Sequence, residues 1–237
     1  VPDLAPAFAL PRPESPVPPA AGKADLAEPN VRSSAVHTLA PLLANPTAFF
    51  SSPEAARVGE NLLLWQRANG GWPKDLDMVL PLLPPQRATL ERRKDRTDTT
   101  IDNGATTTQV RFLARLFATA RDGRFRAGAL RGLGFLLAAQ YPNGGWPQFF
   151  PLRDDYSRHV TYNDDAMDRT MELLDDVARG KAPFEWTDGA LRGRARDAFA
   201  AGIRCVVASQ VVVDGKRTAW CAQHDAVTLE PRPARKF

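Results

Sequence analysis

The stretch "QRANGGWPK" at residues 66–74 returns as "QYPNGGWPQ" at residues 140–148. A turn between two elements needs only the Asn-Gly-Gly, because Asn and Gly accept the positive φ of a helix exit. The Gln four residues ahead of the first Gly and the Trp just after the second ask for more. A weaker third copy, "QVVVDGKRTAWCAQHD", follows Gln210, with Asp214-Gly215 at the turn and Trp220 beyond it. Gln66, Gln140 and Gln210 therefore mark one internal period of roughly seventy residues, about two helices long.

The segments between these marks are helical in pattern. Ser51 or Ser52 caps a helix with Pro53 in its first turn and Glu54 placed to complete a capping box, with Val58, Leu62 and Trp65 on its apolar face. Further 3.6-residue stripes run through Val110, Leu113, Ala114 and Phe117, and through Leu130, Leu133 and Leu137. Two more follow: Met167, Thr170, Met171, Leu174 and Val177, and then Ala195, Phe199, Ile203 and Val206. Only "VVV" at residues 211–213 suggests a strand. Paired helices repeated in this way describe an all-α fold, a solenoid or a closed α/α toroid. Long and short connections alternate, so the long ones gather at one end of the molecule. In this arrangement each Gln can bond the backbone of its own turn. Trp72 and Trp146 read either as wedges between repeats or as platforms for a sugar ring.

Composition sets the outer limits. The chain has 237 residues, 43% hydrophobic and 24% charged, which is ordinary for a globular protein. No apolar run approaches the ~20 residues of a membrane helix, so no membrane partner is expected. Residues 1–30 hold eight of the 21 prolines. Residues 1–37 therefore read as a Pro/Ala-rich disordered linker ahead of one domain over residues 38–237. Cys205 and Cys221 are too few for a disulfide framework, and could be one bridge or two separate thiols. The net charge of +4 is compatible with a polyanionic partner. The one basic cluster, "RATLERRKDR" at residues 87–96, reads as a solvated loop diluted by Glu91 and Asp95.

Two acidic stretches open helices at the end where the long connections meet. One is "DTTIDNGATTTQ", with Asp98, Asp102 and Asn103; the other is "HVTYNDDAMD", with Asn163, Asp164, Asp165 and Asp168. Singly, such residues are ordinary N-caps. Together, Asp102 and Asp164 open corresponding helices of successive repeats, and with an Asn carbonyl they form a hard-oxygen set suited to calcium. Residues 164–168 also spell the Asp-Asp-x-x-Asp of magnesium–diphosphate enzymes, which leaves a toroidal isoprenoid enzyme as another reading. Phosphate-loop and serine-hydrolase motifs are missing, and His37, His159 and His224 are far apart in sequence.

The ordered series "NLLLWQRANGGWPKDLDM", "TIDNGATTTQVRFLARLF", "LLAAQYPNGGWPQFFP", "VTYNDDAM" and "TAWCAQHDAVTLEPRPARKF" resembles the family 10 polysaccharide lyases, the pectate lyases. The resemblance implies an α/α toroid, here an incomplete barrel because the family's sequence continues past Phe237. It implies calcium-assisted anti β-elimination of polygalacturonate, with Asp102 and Asp164 as metal ligands and Asn103 beside them. It also implies an arginine base, placed at Arg235 in the closing Pro-Ala-Arg, with Arg232 nearby. Lys74, Trp72 and Trp146 complete the candidate substrate-binding set. A secreted, bacterial, monomeric enzyme that takes polygalacturonate and no nucleic acid is expected. A uronan-binding fragment without turnover is the alternative.

Overall fold

The computed structural model describes residues 36–234. The linker expected at residues 1–37 lies outside them except for its last two residues. Seven α-helices are present among the described residues: α1 Val36–Leu42, α2 Pro53–Trp65, α3 Pro84–Arg92, α4 Thr107–Ala120, α5 Gly123–Ala139, α6 Ala166–Arg179 and α7 Gly189–Ala208. Helices α4 and α5 form one antiparallel hairpin and α6 and α7 the next. Side by side, α2, α5 and α7 make one layer, while α4 and α6 make the other. An Arg111–Asp176 ion pair at 2.7 Å ties α4 to α6.

Local chemistry sets the helix ends. The Ser52 hydroxyl accepts from the Ala55 amide at 3.1 Å and Pro53 begins α2, so the expected cap is present there. Asp122 and Asp188 cap α5 and α7 in the same way. The basic cluster is not a solvated loop. Most of it lies in α3 and its C-terminal turn, where Lys94 Nζ donates to the Leu63 and Leu64 carbonyls at 2.6 and 2.9 Å. Those carbonyls belong to the last turn of α2, where a cation offsets the negative helix end. Nearby, the fully buried Arg67 makes a two-pronged bond to Asp98 through Nε and Nη2, both at 2.7 Å. Asp98 thus holds structure rather than chemistry.

The stripe expected on α7 also needs correcting. Ala195, Ala198, Gly202 and Cys205 are its buried residues, whereas Ile203 is 44% exposed. Small residues are chosen on the buried side because α7 lies close against α6 and the preceding turn. Cys205 and Cys221 are both free thiols.

The repeated turns explain how the hairpins stack. Gln66 Nε2 donates to Gly70 O of its own turn at 2.8 Å and to Gly128 O of α5 at 2.9 Å. Gln140 Nε2 does the same with Gly144 O at 2.9 Å and Ala198 O of α7 at 2.8 Å. Gly70 and Gly144 have φ of 94° and 93°, and an added Cβ would come within 2.3 Å of Arg131 O and 2.1 Å of Ala201 O. No other residue type suits both the dihedral and the approach.

Each Trp follows the same rule. The Trp72 indole N–H donates to Leu62 O and that of Trp146 to Leu136 O, both at 2.8 Å. Both rings are fully buried, with Gly132 and Gly202 respectively against the six-membered ring. The assignment of Trp72 and Trp146 to substrate binding is therefore corrected. No face of either ring is open to a sugar, and they act as wedges. Replacing either by Ala should cost about 3–5 kcal/mol of stability, the usual range for a buried aromatic. Chemical denaturation of Trp72→Ala and Trp146→Ala would measure it.

Candidate active site

The two long connections lie across each other at one end of the helices. Thr100 N donates to Trp72 O, Ile101 N to Gln148 O and Thr161 N to Trp146 O, at 3.0–3.1 Å. This extended backbone leads into two short 3₁₀ turns, Asp102–Gly104 and Asn163–Asp165, which pack on each other just ahead of α4 and α6.

The turns correspond with a one-residue shift from the sequence expectation. Asn103 and Asp164 both have positive φ, 51° and 55°. Asp102 receives Gln148 Nε2 at 2.6 Å, and Asn163 Oδ1 receives Gln223 Nε2 at 2.7 Å. The counterpart of Asp102 is thus Asn163, and that of Asp164 is Asn103. Asp102 and Asp164 still belong to adjoining turns. They differ in setting: Asp102 is buried, whereas Asp164 is exposed.

Asp102 carries most of the local electrostatics. Its carboxylate accepts from Lys74 Nζ, from Gln148 Nε2 and from the Asn103 amide at 3.0 Å. Lys74 follows the first Gly-Gly-Trp-Pro, at the position Gln148 holds after the second, so both repeats aim a donor at the same carboxylate. Burial acts against the Lys74 charge most strongly. The hydrogen bond and charge of Asp102, with Asp75 beside them, still hold its pKa above the ordinary lysine value. Lys74 therefore stays cationic, with its side chain 27% exposed at the mouth. Asn103 Nδ2 reaches Asp75 Oδ1 at 3.1 Å.

A second cation stands here that the sequence reading missed. Arg169, one turn into α6, pairs with Asp165 at 3.3 Å and passes over Gly104. As a polar residue in an amphipathic helix it reads as surface, and only the packing of the two turns brings it to the site. Lys74 and Arg169 thus flank the turn at Asp102 with positive charge, which suits an anionic ligand.

Oxygen is the donor available to a metal. Gln148 Oε1 is buried and has no hydrogen-bond partner, next to the Asp102 carboxylate that Gln148 Nε2 holds. Asp164 adds an exposed carboxylate. These are hard ligands of the kind calcium takes, though calcium needs six to eight of them. Among the described residues, no three His, Cys, Asp or Glu come together as a metal cluster. The donor set fits a calcium ion only when a ligand's own carboxylates complete the shell.

Toward the C-terminus, β4 Gln223–His224 pairs with both β1 Val160–Thr161 and β5 Pro231–Arg232. The "VVV" segment contributes β2 Val212–Val213, paired with β3 Lys216–Arg217. Arg232 sits opposite Gln223 and is tied to Asp225 at 3.0 Å through Nε and 2.8 Å through Nη2. Arg235 lies outside the described residues. The Thr228 and Val227 amides, with Arg232, hold the Asp225 carboxyl well below the usual carboxylate range. A depressed pKa stabilises the turn above the ordinary carboxylate value and ceases to as pH falls through the folded one. Below about pH 4, the segment after His224 should begin to loosen, and Asp225→Ala should loosen it at every pH. Limited proteolysis across an acid series would show both.

The pectic acid lyase family profile matches residues 66–237. A family 10 polysaccharide lyase from Cellvibrio cellulosa aligns with a TM-score of 0.65 and 32% identity, over 81% of this chain and 58% of that one. An Asp-to-Ala mutant of family 10 lyase from the same organism, in complex with trigalacturonic acid, aligns at 0.66 and 31%, over 86% and 60%. No curated protein matches. The chain thus spans three fifths or less of the solved lyases it is similar to. The repeated hairpins are those of an α/α toroid, and the chain belongs to the pectic acid lyase family.

Proposed function

We propose that this chain carries the catalytic face of a secreted pectate lyase that cleaves polygalacturonate by anti β-elimination with calcium. The observation that carries the reading is the paired turns at Asp102 and Asp164, flanked by Lys74 and Arg169. They form an oxygen-rich mouth with cations on its rim. Trigalacturonic acid bound to a relative at 31% identity supports the substrate class. A polymer of this kind is met outside the cell, which favours secretion.

In the reaction, a base removes the proton on C5 of a galacturonate residue. The electron pair forms the C4–C5 double bond, the C4–O bond breaks, and the departing oxygen takes up a proton. Negative charge develops toward the C5 carboxylate as the proton leaves. Lys74 and Arg169 are cations positioned to bind uronate carboxylates, and Asp102 keeps Lys74 charged and fixed. Calcium, held by Asp102 and Asp164 with substrate carboxylates, would neutralise that developing charge. Arg235 is the base. An arginine is protonated below about pH 12, so neighbouring cations must favour its neutral form, and activity should rise toward alkaline pH.

The test is ultraviolet absorbance of the unsaturated uronide on mixing the chain with polygalacturonate at alkaline pH. We expect a rise that a chelator abolishes and added calcium restores. Binding of polygalacturonate with no absorbance would make the chain a uronan-binding fragment. A rise indifferent to chelator would remove calcium from the mechanism.

A further inference from the structure

Asp164 is an exposed carboxylate, yet its side chain is tethered. Asn163 Nδ2 donates to Asp164 Oδ2 at 2.8 Å, and Asn163 Oδ1 receives Gln223 Nε2 at 2.7 Å. Behind them, the Thr161 hydroxyl lies 3.0 Å from Gln223 Oε1 and 3.0 Å from His159 O. Thr161 and Gln223 are fully buried, Asn163 is half-buried and Asp164 stands in solvent. These side chains form one line from the interior to the mouth of the site.

The outer end fixes the direction of the line. An ionised carboxylate can only accept, so Asn163 turns its Nδ2 to Asp164 and its Oδ1 inward. Only a donor can meet that oxygen, which sets Gln223 with Nε2 outward and Oε1 against the Thr161 hydroxyl. The backbone holds Gln223 where this requires. It pairs with Thr161 of β1 on one side and with Arg232 of β5 on the other, and Tyr162 N donates to Ala222 O at 3.0 Å. The first turn needs no intermediary, because Gln148 Nε2 donates straight to Asp102. In the second turn Asn163 holds that place and the carboxylate stands one position further on. A buried glutamine reaches it only through an amide that accepts on one side and donates on the other.

We propose that Gln223 is a positioning residue: acting through Asn163, it fixes the rotamer of Asp164 and sets how strongly the site holds calcium with a uronate. This rests on calcium and uronate as the ligands of the proposed function. Without the relay, an exposed aspartate gives up side-chain freedom when a cation binds. Outer partners of this kind are worth about 10–100-fold in metal affinity. Gln223→Glu is the sharpest variant. It keeps the shape but, ionised at alkaline pH, can only accept, so Asn163 must turn Nδ2 inward and present Oδ1 to Asp164. Two oxygens then face each other and the carboxylate is pushed away. Gln223→Leu removes the inner bond alone and leaves Asn163 able to donate.

Two measurements on the full chain test this. The first is the NMR signal of the Asn163 side-chain amide in isotope-labelled protein without calcium, identified by its loss in Asn163→Ser. It should shift in Asp164→Ala and in Gln223→Glu. The second is calorimetric titration with trigalacturonic acid at alkaline pH, with calcium and after chelation. Calcium-dependent affinity should fall about 10–100-fold in Gln223→Glu and by less in Gln223→Leu. A merely structural role would lower the denaturation midpoint of both variants and leave the calcium-dependent affinity of the folded chains at the parent value. An Asn163 signal that ignores Asp164→Ala overturns the relay. A signal that shifts while Gln223→Glu binds like the parent overturns the positioning role and leaves the proposed function standing. If the parent chain itself binds without regard to calcium, the calcium site of the proposed function fails and the role of Gln223 fails with it.

Discussion

Asp102→Ala should lower turnover of polygalacturonate by about 10²–10³-fold, the effect of removing one preorganised electrostatic group from a transition state. Three consequences converge on that figure. The carboxylate offered to calcium is gone. Lys74 loses the carboxylate that raises its pKa and holds it in place. Gln148 Nε2 is left buried and unpaired, which costs about 1–3 kcal/mol of folding stability. Asp102→Asn separates these, because it keeps the shape and a hydrogen-bond acceptor while removing the charge. Turnover of Asp102→Asn should fall nearly as far as for Ala, with a smaller loss of denaturation midpoint. If Asp102→Asn kept most of its activity, the carboxylate would be a structural anchor and the site would have to be sought elsewhere. Asp164→Ala, at an exposed position, should leave stability almost unchanged and weaken calcium dependence instead.

Arg235→Ala should lower kcat by about 10²–10⁴-fold, as expected for loss of a general base, with KM changed far less. Arg235→Lys provides the sharper reading. An amine loses its proton at a lower pH than a guanidinium, so the alkaline rise in activity should move to lower pH if this residue is the base. An unmoved profile would show that it binds rather than abstracts. Arg232 is the internal comparison: its guanidinium is occupied by Asp225, so Arg232→Ala should loosen the final turn and raise KM. If Arg232→Ala instead produced the large kcat loss, the roles of the two arginines would be exchanged.

The architecture was legible because its determinants recur. A Gln, two glycines and a Trp at fixed spacing are costly to keep unless every joint needs them, and each of the first two joints does. Helix α3 was not legible, since its polar, basic composition carries no apolar stripe. Its stability comes from two prolines at the start and from packing beneath Leu90. The stripe on α7 was misjudged for a related reason. Periodicity selects large apolar residues, while the buried side of that helix is chosen for closeness. At the site, Lys74 drew notice because it ends the repeated phrase, and Asp102 and Asn103 because they open a helix at the end where the long connections meet. The one-residue shift between the two turns was not legible, because Asp-Asn-Gly and Asn-Asp-Asp look alike until positive φ marks the matching positions. Arg169 depended wholly on tertiary packing.

The Gln side chains at the joints have a consequence for how the molecule comes apart. Each amide ties its own turn to one neighbouring helix and to nothing beyond it, so coupling passes only between adjacent hairpins. Such a chain behaves as a row of linked units, each stabilised by its neighbours. Cooperativity is then graded along the row: among the described helices, α4 and α5 have a neighbour on both sides, whereas α6 and α7 have one. Among the described residues, loss of the α6–α7 hairpin breaks the Gln140 joint and leaves the Gln66 joint whole. Lys74 and Asp102 stand on the inner side of the Gln140 joint, whereas Asp164 and Arg169 go with the outer hairpin.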